Sequence, residues 1–202
     1  MINELISQHY LKTPLIIEAF KNINRADFLP DDLKDEAGVN APLPIGFGQT
    51  NSQPLTVAFM LELLQPQAGE KILDIGSGSG WTSALLAWCV GEDGKVLAIE
   101  RIPELCEFGK QNIAKYNYIV KGVVKIICAD GAKGLPEEAP FDKIIAAAAA
   151  DSVPPAWKEQ LRIGGQMILP IKDSIWLLKK KSVKDFEEKE FYGFAFVPLI
   201  AE

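Results

Sequence analysis

At 202 residues, 48% hydrophobic and 24% charged, the chain has the size and balance of one globular domain, which excludes a disordered or fibrous protein. Its 21 Lys and Arg against 27 Asp and Glu leave a net charge of −6, which argues against a nucleic-acid partner because phosphate binding draws on clustered cations. No apolar run approaches a membrane span, Met1 to Lys12 is too polar for a secretory signal, and Cys89, Cys106 and Cys128 lack zinc-ligand spacing, so the expectation is a cytoplasmic protein with buried free thiols, no metal and no membrane partner.

Residues 1–22 give two short helical patterns, the second opening at Thr13-Pro14, where Thr suits an N-cap and Pro the first helical position. Leu15, Ile16, Ala19, Phe20 and Ile23 fall on one stripe. Asn24 to Pro44 is rich in Pro, Asp and Gly. Long irregular segments in compact domains tend to be lids, so this one is a candidate cover for a site. In residues 43–64, LPIGFGQTNSQPLTVAFMLELL, Pro54 suits a first helical turn, and Leu55, Phe59, Met60, Leu63 and Leu64 supply an apolar face. On spacing alone, Thr50 or Ser52 reads as a cap for that helix.

The stretch KILDIGSGSGWTSALLA, 71–87, is a buried strand, a turn with glycines at 76, 78 and 80, and a helix running from Trp81 to Val90. A helix starting at such a turn offers unpaired N–H groups and the positive end of its dipole to a ligand. The dinucleotide fingerprint G-x-G-x-x-G would need glycine at Trp81, and a phosphate loop would need Lys after Gly80. What remains, D-x-G-x-G-x-G from Asp74, resembles the S-adenosylmethionine motif of Rossmann-like methyltransferases. In that family a carboxylate ending the next strand holds the ribose, and here KVLAIE ends in Glu100, 20 residues after Gly80. A glycine turn that only joins strand to helix is the alternative, and Glu100 counts against it.

Beyond the turn the pattern alternates: a strand at 95–100, a helix around Leu105 to Tyr116, a strand at 123–128, a fourth strand in 141–150, a helix near Pro155 to Leu161, then Gly164-Gly165 and QMILPI. Such repetition specifies an α/β sheet with helices on both faces. SIWLLKKK (174–181) and EFYGFAFVPL (190–199) have no helix between them, which predicts an antiparallel hairpin at the sheet edge, with Lys179 to Lys181 as its solvated end.

Several segments together resemble the protein-L-isoaspartate (D-aspartate) O-methyltransferase family. NRADFLP at 24–30 is similar to its R-x-x-F-[VL]-P segment and LPIGFGQTNSQP to its L-P-I-G-x-G-Q-T-[IV]-S-Q-P segment. ILDIGSGSGW, VLAIER, DGAKGLPEEAPFD, QLRIGGQMILP and FVPL follow in the family's order over nearly the whole chain. The resemblance implies a single methyltransferase domain of the Rossmann-like S-adenosylmethionine-dependent fold. Residues 1–66 would form a helical and lid extension, and 67–202 the core, a mostly parallel sheet with an antiparallel C-terminal edge. It implies S-adenosyl-L-methionine as cofactor, S-adenosyl-L-homocysteine as product, isoaspartate-containing damaged proteins or peptides as partners in repair, and a monomer or weak homodimer. Carried over by position, Ser52 is the active-site serine, with Thr50, Asn51 and Gln53 binding substrate. Asp74, Gly76, Ser77, Gly78 and Gly80 take the donor, Glu100 the ribose with Arg101 beside it, and Asp130 and Gly131 the adenine end. The chain departs from the pattern at Asn51, usually aliphatic, at Gly38 and Asn40, commonly Tyr and Asp, and at Ala129 and Lys172, commonly Gly.

Methyl transfer to a carboxylate needs no general base, because an aspartate-type group with a pKa of about 3.9 is already ionised at neutral pH. That fits a chain whose only histidine, His9, lies far from the motifs. DSVPPAW (151–157) matches the [ND]-P-P-[YFW] signature of amino-methylating nucleic-acid enzymes poorly, with Val153 and Ala156 at its key positions. A small-molecule acceptor and a non-catalytic cofactor sensor remain the alternatives.

Overall fold

The computed structural model describes residues 1–200. Helices α1 (Ile2–Ser7) and α2 (Pro14–Asn22) open the chain, followed by two 3₁₀ turns, Arg25–Phe28 and Asp31–Glu36. A hairpin of β1 (Leu43–Gly46) and β2 (Gln49–Asn51) leads into α3 (Pro54–Leu64). The alternating part runs β3 (Lys71–Ile75), α4 (Trp81–Val90), β4 (Lys95–Glu100), α5 (Pro103–Ala114) and β5 (Val124–Cys128). It continues through β6 (Phe141–Ala146), α6 (Pro155–Gln160) and β7 (Leu161–Ile171), and closes with β8 (Ser174–Lys180) and β9 (Phe186–Tyr192).

One seven-stranded sheet, ordered β5-β4-β3-β6-β7-β8-β9, is parallel from β5 to β7 and antiparallel over β8 and β9, as the sequence predicts. Period-two alternation sorts its side chains into two cores. Ile72 of β3 joins Leu5, Phe20, Leu61 and Leu85 from the N-terminal helices and α4, whereas Leu73 and Ile75 join Phe141, Trp157 and Leu161 on the opposite face. The chain leaves β3 toward β4 and β5, then returns to set β6 on the other side of β3. Strand order reverses there, and open α/β sheets bind ligands in the crevice outside such strand ends.

Several expectations need correcting. Helix α3 buries Val57, Ala58, Met60, Leu61 and Leu64, and its other side is half-covered because Phe59 packs against Phe191 and Phe194. The Thr13 hydroxyl does not cap α2 but donates to Glu62 Oε2 (2.7 Å). Lys180 is buried, its Nζ donating to Lys158 O and Leu161 O (2.5 and 2.7 Å) at the end of α6, so only part of the basic run is solvated. Cys89 is buried, but Cys106 is half-buried and Cys128, ending the edge strand β5, is exposed. The last strand stops at Tyr192. Gly193 turns with φ +97°, and the following residues cross to Ala149, whose N–H donates to Val197 O (2.8 Å) while its carbonyl accepts Leu199 N–H (2.7 Å).

Candidate active site

The turn from β3 to α4 is pinned to β4, where Ile99 O accepts N–H from Gly76 and Ser77 (2.9 and 3.0 Å). Gly80 sits at φ +89°, and a Cβ there would stand 2.8 Å from Ile113 Cδ1 on α5, so conformation and space both require glycine. Glu100, 7% exposed, accepts Gly78 N–H on Oε2 (2.8 Å) and Ile102 N–H on Oε1 (2.9 Å), joining the turn to the end of β4. Below it lies Asp74, 0% exposed, with Ser83 Oγ donating to Oδ2 (2.5 Å) and Oδ1 unpartnered. Burial pushes the Asp74 carboxyl up to about 7; the Ser83 bond opposes this and the charge of Glu100 adds to it.

Above the turn opens a cavity of about 340 Å³, the size of a small-ligand site. Of the residues singled out from sequence, Gly76, Ser77, Gly78, Glu100, Arg101 and Gly131 line it from the sheet side, and Thr50, Asn51, Ser52 and Gln53 line it from the hairpin and the link to α3. Asp74, Gly80 and Asp130 are outside the wall: Asp74 supports the turn, Gly80 starts α4, and Asp130 accepts Ala132 N–H (3.0 Å) to cap a short turn. Gly131 is held by Trp157 Nε1, which donates to its carbonyl (2.9 Å). Two polar groups in the wall, Ser77 Oγ and Trp81 Nε1, are buried with no partner among the described residues. Unpaired buried groups of this kind mark a place where a polar ligand completes the hydrogen bonding.

On the facing side, neither Thr50 nor Ser52 caps α3. The lid does so instead: Asn40 Oδ1 accepts Leu55 N–H (3.0 Å), while Gln53 Nε2 donates to Asn40 O (3.0 Å). The Ser52 hydroxyl is thereby left with no hydrogen-bond partner among the described residues, at the edge of the cavity. Of segment 24–44 only Pro42 reaches the wall. The rest packs elsewhere: Arg25 and Asn40 hold the hairpin and the start of α3, and just past the end of α5 Tyr116 Oη donates to Asp27 Oδ2 (2.6 Å) while Phe28 stacks on Tyr116.

Sequence reasoning missed Arg25, Ser79, Trp81 and the C-terminal segment. Arg25 was visible only as the first residue of a family segment, yet its buried guanidinium organises the hairpin through Asn51 and nearby carbonyls. Burial lowers its pKa to about 10. Ser79 and Trp81 lie inside the glycine stretch but were read only as turn and helix. Residues 195–199, the end of the segment read as strand, line the cavity together with Ile200, whose carbonyl accepts from Arg101 Nη1 (3.0 Å).

The chain was compared with known proteins. A family model described as Protein-L-isoaspartate(D-aspartate) O-methyltransferase matches residues 1–202. A protein-L-isoaspartate O-methyltransferase of Methanopyrus kandleri is 43% identical over 206 residues, spanning 100% of this chain and 90% of that protein. One from Aeropyrum pernix is 42% identical over 206 residues, spanning 100% and 78%. A solved protein-L-isoaspartate O-methyltransferase superposes with TM-score 0.88 at 29% identity, over 98% of this chain and 65% of that one. A β-aspartate methyltransferase from Plasmodium falciparum, in complex with S-adenosyl-L-homocysteine, gives TM-score 0.89 over 98% and 96%; its 21% identity speaks for the fold alone.

Proposed function

The chain belongs to the protein-L-isoaspartate(D-aspartate) O-methyltransferase family, and on that premise we propose that its cavity methylates the free carboxylate of isoaspartyl residues in damaged proteins, initiating their repair. The observation that carries this reading is one cavity lined by Ser52 and by the glycine turn with the start of α4, where Ser77 Oγ and Trp81 Nε1 are buried without a partner among the described residues. Those two groups, the turn and Glu100 fit S-adenosyl-L-methionine, which when bound supplies a sulfonium-activated methyl and leaves S-adenosyl-L-homocysteine.

The chain's own part is positioning. The acceptor carboxylate is ionised at neutral pH, so no base has to be held near it. Ser52 orients it with a neutral hydrogen bond. A strong cationic clamp would stabilise the charged ground state more than a transition state in which charge is being neutralised. Among the described residues the cavity wall supplies none: Arg25 is saturated by Asn51 and backbone carbonyls, and Arg101 is engaged with the C-terminal segment. That segment, 195–200, supplies an apolar wall of the cavity, and alignment of the reactants against it and partial dehydration are the contributions this reading assigns to the chain. The flanking backbone nitrogen of the methyl ester then displaces methanol to form a succinimide. The test is transfer of labelled methyl to a peptide containing isoaspartate against the matched aspartyl peptide. Transfer to the first alone is expected; transfer to neither moves the acceptor to another class.

A further inference from the structure

Arg25, 3% exposed, has no carboxylate among its partners. Its Nη1 donates to Val39 O (2.8 Å), its Nη2 to Ala41 O (2.8 Å) and Ser52 O (3.1 Å), and its Nε to Asn51 Oδ1 (2.8 Å). The guanidinium therefore gathers the lid end and the serine hairpin into one unit. Asn51, also 3% exposed, extends that unit: its Nδ2 donates to Ser79 Oγ (3.1 Å) within the glycine turn. Ser79 O in turn accepts Asn112 Nδ2 from α5 (3.1 Å). The amide orientation is dictated by its neighbours, since Arg25 Nε can only donate and must meet Oδ1. Both ends of the Asn51 side chain are thus used inside the protein. An aliphatic side chain here, the residue class of the family pattern, would leave Arg25 Nε and Ser79 Oγ without this partner.

We infer that Asn51 is a positioning residue that couples occupancy of the donor site to ordering of the acceptor hairpin. This rests on the reading of the cavity as donor site and acceptor site. A ligand on the glycine turn biases Ser79, and Asn51 passes that bias to Arg25 and hence to the carbonyls of 39, 41 and 52. Among the described residues, Asn51 to Ser79 is the hydrogen bond that joins hairpin to turn. By linkage, the acceptor then tightens the donor-site ligand by the same factor.

The test uses the full chain, S-adenosyl-L-homocysteine at concentrations saturating each variant, and hydrogen exchange over residues 37–53. In the parent, the ligand slows exchange across that segment. Ser79→Ala cuts only the link to the turn and leaves the Arg25–Asn51 bond, so it is the clean variant. It and Asn51→Val lose the ligand-dependent protection, and Ser79→Thr, which keeps the hydroxyl, restores it. Calorimetry with and without isoaspartyl peptide gives a mutual tightening of about fivefold or more in the parent, falling to less than twofold in Ser79→Ala. Hairpin protection that survives Ser79→Ala, or that is absent in the parent, overturns the coupling. Because the exchange readout needs no acceptor, intact coupling with no transfer to isoaspartyl peptide would overturn the acceptor reading alone.

Discussion

Replacing Glu100 by Gln preserves shape and removes one of two acceptors that hold the site together. The carboxylate accepts Gly78 N–H at 2.8 Å and Ile102 N–H at 2.9 Å. Whichever way the Gln amide turns, one of those N–H groups meets an NH₂ that can only donate. A hydrogen bond to a charged group is worth about 1.5–3 kcal/mol, and a buried donor left unpaired costs about 1–3 kcal/mol. The two figures overlap in what they count, so a destabilisation of about 2–4 kcal/mol is expected. In a domain of this length each kcal/mol moves the midpoint by roughly 2–4 °C, so thermal unfolding should fall by about 5–15 °C. With the turn released and the proposed ribose contact changed, S-adenosyl-L-homocysteine should bind about 10- to 100-fold more weakly by calorimetry, a loss of about 1.4–2.8 kcal/mol. A variant that melts within about 1 °C of the parent and binds within twofold would refute the reasoning about Glu100.

Three other substitutions probe separate parts. Ser52→Ala should cut methyl transfer by about 10- to 100-fold through lost alignment, with cofactor affinity within twofold and unchanged melting; an equal loss of cofactor affinity would make Ser52 a donor contact. Asp74 titrates at about 7 in the folded chain against an ordinary 3.8, so folding retains a proton that unfolding releases. Its stabilising effect is full below about pH 4 and is lost as pH rises to about 7, on the order of 4 kcal/mol. Asp74→Asn cannot ionise, and in urea unfolding it should gain on the parent as pH rises from about 4 to about 7; a constant difference would remove the buried-carboxyl explanation. Gly80→Ala forces a side chain into positive φ and against Ile113, and should cost about 2–4 kcal/mol by denaturant titration, whereas a loss below about 1 kcal/mol would contradict the packing.

Much of the fold was legible because each signal is local. The strand ending at Glu100 and the helix starting at Trp81 appear where alternation and the glycine turn place them, and Glu100 could be found by counting from Gly80. The illegible parts depend on partners distant in sequence. A guanidinium satisfied by backbone carbonyls leaves no complementary residue to find, so Arg25 stood out only as part of the NRADFLP segment, with no role attached. Thr50 and Ser52 had capping chemistry at capping positions, but Asn40 from the lid took that task. Asn51 was visible as unusual beside Ser52, yet its use became clear only when Ser79 and Arg25 stood on either side of it. The C-terminal segment kept strand-like composition past Gly193, where a positive φ turns it toward Ala149 and the cavity wall.

Mass spectrometry of an isoaspartyl peptide, incubated with the chain and S-adenosyl-L-methionine beside its aspartyl twin, tests the proposed acceptor most directly. A methyl ester confined to the isoaspartyl carboxylate, decaying to the succinimide with loss of methanol, is expected. A methyl group on any other atom, or equal methylation of both peptides, would contradict it.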